Sequence, residues 1–204
     1  MNRLLALGAA TLGETGGHPM HPRIRAAWPG ATLAAPAYAV TLGHGDNLAI
    51  HAAVVEAPPG SALVVAAGDP PELGYWGEVL TTAAEARGLT GLVIDGGVRD
   101  VAALEAHGFP VFSALIALQG AVKVAGGEIG GTAVVGGVAV RTGDWVVGDR
   151  DGVTVVPADA LEAVLAAGQA RADKETAMFA KLGEGSTTVE LLGLDTSPVR
   201  RPQP

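Results

Sequence analysis

Three short apolar runs limit what this chain can fold into. SALVVAAG (61–68), LTGLVID (89–95) and PVFSALI (110–116) carry Val, Leu and Ile without polar alternation. A run of that length with no polar face is a strand covered on both sides. Helical patterns lie between them: EVLTTAAEAR (78–87), closed by Gly88 as a C-terminal cap, and DVAALEAHG, opened by Asp100. Strand, helix, strand, helix, strand at this spacing predicts βαβ units and a parallel sheet. Upstream, TLAAPAYAVTL (32–42) is expected to be another strand, with Pro36 marking an edge or a bulge because proline cannot donate to a ladder. Asp46 should cap a helix over 47–57, with Leu48, Ala52 and Val55 at helical spacing and Pro58-Pro59-Gly60 ending it. DPPELGYWG (69–77) is expected to be a loop, and Gly96-Gly97 a turn.

The pattern changes after Gly120. Residues 121–156 are short Val-rich runs broken by Gly-Gly, Thr-Gly-Asp and Asp-Arg-Asp-Gly, which predicts an antiparallel β meander. Asp159 and Glu162 are spaced as a capping box for a long helix over about 158–182. Its length would be roughly 37 Å at ~1.5 Å per residue. Leu161, Val164, Leu165, Gly168, Ala172, Phe179 and Leu182 fall on one face. Residues 3–12 are expected to be a short first helix, 13–22 (GETGGHPMHP) a turn-rich segment, and the end a polar tail. No repeat and no boundary interrupts the chain, so a single domain over 1–204 is expected, with a helical N-terminus (1–22) and a C-terminal helix and tail (158–204).

Composition narrows the chemistry. Apolar residues make up 49% of the chain and aromatics 4%, so the core is expected to be small and aliphatic. The net charge is −8, and Arg200-Arg201 is the one basic cluster, so nucleic acid is not the expected ligand. The chain has no Cys, which removes thiolate nucleophiles, disulfides and Cys-based zinc sites. The run Leu4 to Ala10 is short and broken by Gly8, so it is expected to be a helix rather than a leader. No apolar stretch approaches the ~20 residues of a membrane span. A cytoplasmic location without membrane contact is the corresponding expectation.

The remaining candidates are carboxylates, arginines, five histidines and the hydroxyls of Ser, Thr and Tyr. The glycines of GGEIGG (126–131) lie between strand runs and are expected to be turn glycines. His18 and His21 are separated by Pro19 and cannot share a helical face, so they are not expected to pair on a metal. His44, His51 and His107 are expected to be solvated or locally satisfied. Arg99-Asp100 is more informative, because it follows a buried strand and precedes a helix, where ligands collect in parallel sheets. Arg offers a planar fork for a carboxylate. Asp is a hard oxygen ligand for Mg²⁺ or Mn²⁺, and equally a helix N-cap. Glu78 sits at the start of the preceding helix, where an acidic residue also suits the helix dipole. If the strands are neighbours, the three form an acid–cation–acid set.

The ordering of Glu78, twenty residues, then Arg99-Asp100 resembles the D-x20-R-D signature of the 4-hydroxy-4-methyl-2-oxoglutarate aldolase and RraA-like family. WPGATLAAPAYAV, GDNLAIHAAV, PPGSALVV, GLVIDGGVRDV, GFPVF and TGDWVVGDRDGVTVVP are similar to the family in the same order, over roughly residues 20–180. The first signature position is Glu here, one methylene longer than Asp, and Val101, Ala102 and Ala103 follow Asp100 where family aldolases often carry another acid. The resemblance implies a swivelling β/β/α-type α/β domain, assembled as trimers that can pair into hexamers with sites at subunit boundaries. It implies that Arg99 grips the pyruvyl carboxylate and that Asp100 holds a divalent metal, Mg²⁺ or Mn²⁺. Glu78 would organise the waters around that metal, and the backbone of Gly77, Val79 and Leu80 would add anion binding at a helix N-terminus. The implied activity is retro-aldol cleavage of a 4-hydroxy-2-oxo acid, or decarboxylation of oxaloacetate, through a shared pyruvate enolate. The family also holds RraA-type proteins that bind a ribonuclease or helicase, which is the alternative expectation, and a third is an oligomeric homologue without activity. Members have also been labelled menaquinone methyltransferases, but no methyl-donor Gly motif follows the first strand.

Overall fold

A computed structural model describes residues 3–200, so Met1, Asn2 and Arg201, with the rest of the expected tail end, lie outside the described residues. The chain runs α1 (Arg3–Glu14), β1 (His18–Pro19), β2 (Arg25–Ala26), β3 (Leu33–Leu42), α2 (Leu48–Glu56), β4 (Ala62–Ala66), β5 (Gly74–Trp76), α3 (Glu78–Ala86), β6 (Gly91–Val98), α4 (Val101–His107) and β7 (Val111–Ile116). It continues with β8 (Gly127–Ile129), β9 (Thr132–Val135), β10 (Val138–Arg141), β11 (Trp145–Asp149), β12 (Gly152–Val156), α5 (Leu161–Gly183) and α6 (Thr188–Leu192). This is a mixed α/β domain with a long C-terminal helix. Among the described residues no helix is long and apolar enough to cross a membrane.

One sheet organises the fold, in the order β1-β12-β11-β3-β4-β6-β7-β2, with β5 added on β6 and β8 on β3. The strands β3, β4, β6 and β7 are parallel, as the apolar runs require. Side-chain alternation divides the core between two faces. Leu63, Val65, Leu92 and Ile94 face α2, α3 and α4 together with Ile50, Leu80 and Leu104. Val64, Val93 and Phe112 face the other way, against Ala133, Val135, Val140, Val146 and Val155. A third layer forms where α1 and α5 press Leu4, Leu12, Val164 and Leu165 onto Val147 and Val156.

Several expectations change in detail. Pro36 lies neither at an edge nor at a bulge. It ends the stretch of β3 paired with β11 and precedes the stretch, from Ala37, paired with β4, so its missing N–H falls where the strand changes partners. The buried face of α2 is Ala49, Ile50, Ala53 and Val54, while Leu48 and Val55 are exposed. An almost wholly apolar helix carries no periodic signal to choose between its faces. Part of the expected 69–77 loop is β5, paired in parallel with β6. Gly96-Gly97 is not a turn, because β6 runs through it. A Cβ on Gly96 would meet Ala67 Cβ at 2.5 Å, and one on Gly97 would meet Leu73 O at 2.5 Å, so these glycines permit close approach of neighbouring chain.

The expected meander is two hairpins, β9–β10 and β11–β12, with β8 returning to β3. Gly126 and Gly130 have the positive φ expected of turn glycines, but Gly127 begins β8, where an added Cβ would collide with Thr41 O. Asp159 and Glu162 form no capping box. A 3-10 turn occupies Ala158–Ala160, and α5 begins at Leu161 without a side-chain cap. The packed face of α5 stops at Gly168, and Phe179 stands in solvent. The capping box of this region belongs instead to Thr187 and Glu190 at α6, within the expected tail.

Candidate functional site

The parallel strands deliver their C-terminal ends to one side of the sheet. There β3 leads into Asp46 and Asn47, β5 into Gly77 and Glu78, β6 into Arg99 and Asp100, and β7 into the segment holding Lys123. Ligands bind at this end of parallel sheets because helix N-termini and loops converge on it. A cleft of about 150 Å³ opens here, lined by Asn47, His51, Gly77, Val79, Leu80, Arg99, Asp100 and Lys123 among others. A space of that size suits a small acid.

Asp100 has the most unusual backbone of the site. It is the one non-glycine residue with positive φ among the described residues, at φ 58 and ψ 36. It occupies the N-cap position of α4, yet its side chain makes no cap bond there. Its Oδ2 instead accepts the backbone N–H of Glu78 at 3.1 Å, so the carboxylate sits over the N-terminus of α3. A left-handed conformation in a residue with a Cβ costs energy and persists where the surroundings impose it, most often at functional sites. Gly77 leaves room for the carboxylate in that position, since a Cβ there would collide with Asp100 Oδ2.

Arg99 lies alongside, its Nε 3.7 Å from Asp100 Oδ2, with both side chains more than two-fifths exposed to the cleft side. Its backbone N–H donates to Trp76 O at 2.9 Å, tying β6 to β5 at the point where both end. Gly74 and Gly120 make room for the guanidinium: added Cβ atoms would lie 3.2 Å from Arg99 Cδ and 3.3 Å from Arg99 Nη1. The first turn of α3 presents the amides of Val79 and Leu80, which have no carbonyl partner within the helix. Gly77, Val79, Leu80, Arg99 and Asp100 therefore meet in one cleft. The Glu78 backbone joins them, but its carboxylate is 57% exposed and lies 3.8 Å from His107 Nε2, and it does not line the cleft. His107 also meets Glu85 at 2.8 Å, so it is locally satisfied as expected, and His44 is exposed.

The cleft contains three residues that motif reading passed over. Asn47 is buried, and its Nδ2 donates to Tyr75 O at 2.8 Å, which leaves Oδ1 as the acceptor. Among the described residues that Oδ1 has no partner, and neither has the buried Nε2 of His51 one turn further on. Buried polar atoms are rarely left alone, and two of them on the wall of one cleft point to a polar ligand. His51 was expected to be solvated or locally satisfied, but it is half-buried and its Nε2 lacks a partner among the described residues. Burial, reinforced by the charge of Lys123 and opposed by Asp46, pushes its pKa below the ordinary histidine value, which keeps the ring neutral. Its position four residues after Asn47 on α2 was the available signal, but only once the cleft face of α2 is known.

The family model for RraA-like proteins, described as Aldolase/RraA, matches residues 9–155. A Halalkalibacterium halodurans protein named "Putative 4-hydroxy-4-methyl-2-oxoglutarate aldolase" is 38% identical over 130 residues, 64% of this chain and 62% of that protein. The chain thus spans about three-fifths of the length of that curated relative. The crystal structure of an uncharacterized Pseudomonas syringae protein superposes with a TM-score of 0.78 at 26% identity, covering 90% of this chain and 86% of the other. Streptomyces coelicolor RraAS2, described as an unusual member of the RNase ES inhibitor RraA protein family, gives a TM-score of 0.74 at 25% identity, covering 88% and 95%.

Proposed function

The chain belongs to the Aldolase/RraA family, and from that premise we propose that it is a divalent-cation-dependent lyase. Its substrates would be 4-hydroxy-2-oxo acids of the 4-hydroxy-4-methyl-2-oxoglutarate type, oxaloacetate, or both. The observation that carries this reading is the left-handed Asp100, whose carboxylate leaves its own helix to accept from Glu78 N–H beside Arg99.

The donor set fits a hard cation. Asp100 offers a carboxylate that is 42% exposed at the cleft. Among the described residues no group of three His, Cys, Asp or Glu is gathered for a metal, so the ion would be held by Asp100 together with water. Mg²⁺ keeps several waters and is held by as few as one carboxylate. When bound, the cation supplies Lewis-acid stabilisation of negative charge on the oxo acid.

The chain's own residues divide the remaining work. Both reactions break a carbon–carbon bond and leave an electron pair on carbon 3 of a pyruvate unit. Arg99 holds the adjacent carboxylate in its fork and so orients the bond that breaks. The amides of Val79 and Leu80, beside Gly77, add positive field from the α3 N-terminus. Glu78 is the candidate to handle the hydroxyl proton in the aldol case. It must leave His107 to do so, which its exposure permits. The orphaned Asn47 Oδ1 accepts a hydrogen bond from the substrate or an ordered water.

Pyruvate release from 4-hydroxy-4-methyl-2-oxoglutarate and from oxaloacetate, with Mg²⁺ or Mn²⁺ and with excess chelator, tests the reading. It predicts release that the chelator abolishes. Full activity in the chelator ends the cation part, and no release from either acid ends the whole. A second reading, a protein that restrains a ribonuclease or helicase without catalysis, is favoured by the similarity to RraAS2. It predicts no pyruvate in the same assay. We also propose self-association into a trimer or a pair of trimers. Val79, Leu118 and Val124 are exposed apolar residues on the segments that border the cleft, and a second copy would cover them. Light scattering that gives a monomer at micromolar concentration overturns that part.

A further inference from the structure

The N-terminal ends of the parallel strands, opposite the cleft, carry a cavity of their own. Residues 25–32 pass from β2 into β3 beyond the start of β7, and the tip of the β11–β12 hairpin meets them there. The cavity between them is about 440 Å³, lined by Arg25, Trp28, Pro29, Ala31, Thr32 and Arg150 among others. That falls within the ~300–1,000 Å³ common for small-molecule sites.

The fold holds its walls. Ala27 N–H donates to Val111 O at 2.8 Å, and the Trp28 indole Nε1–H donates to Phe109 O at 2.9 Å. Backbone and side chain thus tie the segment to the start of β7. Trp28 packs against both faces of the core and also lines the cavity. Arg25 Nη1 donates to Asp151 O at 2.7 Å, which joins the segment to the hairpin tip.

Two guanidinium groups share this cavity, and among the described residues neither makes an ion pair. The neighbouring acids are turned to other work. Asp149 Oδ2 accepts Ala9 N–H at 2.7 Å, and its Oδ1 accepts Asp151 N–H at 2.9 Å. Asp151 gives Arg25 its carbonyl rather than its carboxylate. In a chain with 13 Lys and Arg against 21 Asp and Glu, two cations at one cavity without an acid on either stand apart from their surroundings. Like charges held together cost energy that a bound anion removes. Two planar forks suit a phosphate monoester, with its charge of about −2 and three terminal oxygens. The indole, with Pro29 and Ala31, suits a flat ring attached to that phosphate.

We propose that this cavity binds a nucleoside monophosphate, its phosphate on Arg25 and Arg150 and its base against Trp28. A single phosphate needs only this local pair, whereas a nucleic-acid strand needs an extended basic surface. The site uses no residue of the cleft, and the proposal stands apart from the lyase reading.

AMP, ribose 5-phosphate and adenosine, titrated by calorimetry into the wild-type chain, Arg150→Gln and Arg99→Gln, test it. Arg150 is exposed, so Arg150→Gln is expected to keep the wild-type circular dichroism spectrum. The wild type is expected to bind AMP roughly tenfold more tightly than ribose 5-phosphate, through stacking of the base. It is expected to bind AMP roughly tenfold more tightly than adenosine, through charge-assisted bonds to the phosphate. Arg150→Gln should weaken AMP and ribose 5-phosphate roughly tenfold and leave adenosine unchanged. Arg99→Gln, which removes the guanidinium of the cleft, should bind AMP as the wild type does. AMP should also quench part of the indole emission of the wild type, and Trp28→Phe should lose that part, because Trp76 is buried. No binding of AMP, AMP no tighter than ribose 5-phosphate, or AMP affinity unchanged in Arg150→Gln overturns the proposal. So does a loss confined to Arg99→Gln, which would put the nucleotide in the cleft.

Discussion

Asp100 Oδ2 accepts the backbone N–H of Glu78 at 3.1 Å, so a residue standing at the N-cap of α4 caps α3 instead. The bond joins the ends of β5 and β6 through a charged atom and leaves the carboxylate at the cleft. A left-handed backbone at Asp100 aims it there. Local stability alone would favour the ordinary cap, in which Asp serves its own helix.

Gly77→Ala tests the room that arrangement needs. The backbone at Gly77 is extended, which any residue adopts, so the substitution brings no φ penalty. The new Cβ would overlap Asp100 Oδ2, and the carboxylate must move. Pyruvate release should drop at least about tenfold, about 1.4 kcal/mol in barrier, with the circular dichroism spectrum retained. Activity equal to the wild type would mean that the position of Asp100 does not matter.

Arg99→Lys keeps the charge and loses the fork. If Arg99 grips the substrate carboxylate by two parallel bonds, an ammonium cannot replace it. We expect kcat/KM to fall roughly a hundredfold, about 2.7 kcal/mol at 1.36 kcal/mol per tenfold, with KM raised and kcat lowered together. A lysine variant within twofold of wild type would reduce Arg99 to a general positive charge.

His51 gives a pH signature. Burial lowers its pKa in the folded chain below the ordinary value near 6.5. The unfolded chain therefore binds more protons between the two values, and stability must fall as pH drops through about 6.5 toward the folded pKa. Asp46 is governed by the same relation at lower pH. Burial raises its pKa, but the amides of Ala125, Leu48 and Val124 and the charge of Lys123 hold it below the usual carboxylate range. Its contribution is present above the unfolded value and is lost as pH falls through the folded one. Urea denaturation between pH 7.5 and 5 should lose slope in His51→Gln, and that between pH 4.5 and 3 should lose slope in Asp46→Asn. Unchanged slopes contradict the burial assigned to His51 or the amide bonds assigned to Asp46.

The sequence made the parallel sheet legible because β4, β6 and β7 are apolar on both faces and long enough to read as strands. It also brought Arg99 and Asp100 to the correct end of that sheet, since only the strand that precedes them and the helix that follows were needed. The direction of individual side chains was not legible. Glu78 is drawn to His107, a contact made across α3 and α4 that no local spacing encodes. Gly96-Gly97 reads as a turn in sequence, but tertiary crowding from Ala67 and Leu73 makes glycine necessary within a strand. Asn47 and His51 were hidden for a related reason: α2 is almost wholly apolar, so no periodic pattern identifies its cleft face.

Asp100→Asn decides the central claim most directly. Asparagine tolerates the left-handed backbone and can still accept the Glu78 N–H, so fold and cap geometry are preserved. Only the negative charge at the cleft is removed. Circular dichroism and thermal melting beside a pyruvate-release assay at rising Mg²⁺ make the comparison. The account predicts a folded protein with activity reduced at least about a hundredfold, near 2.7 kcal/mol, and a higher Mg²⁺ requirement for what remains. A folded Asp100→Asn protein with wild-type turnover and unchanged Mg²⁺ dependence would contradict it.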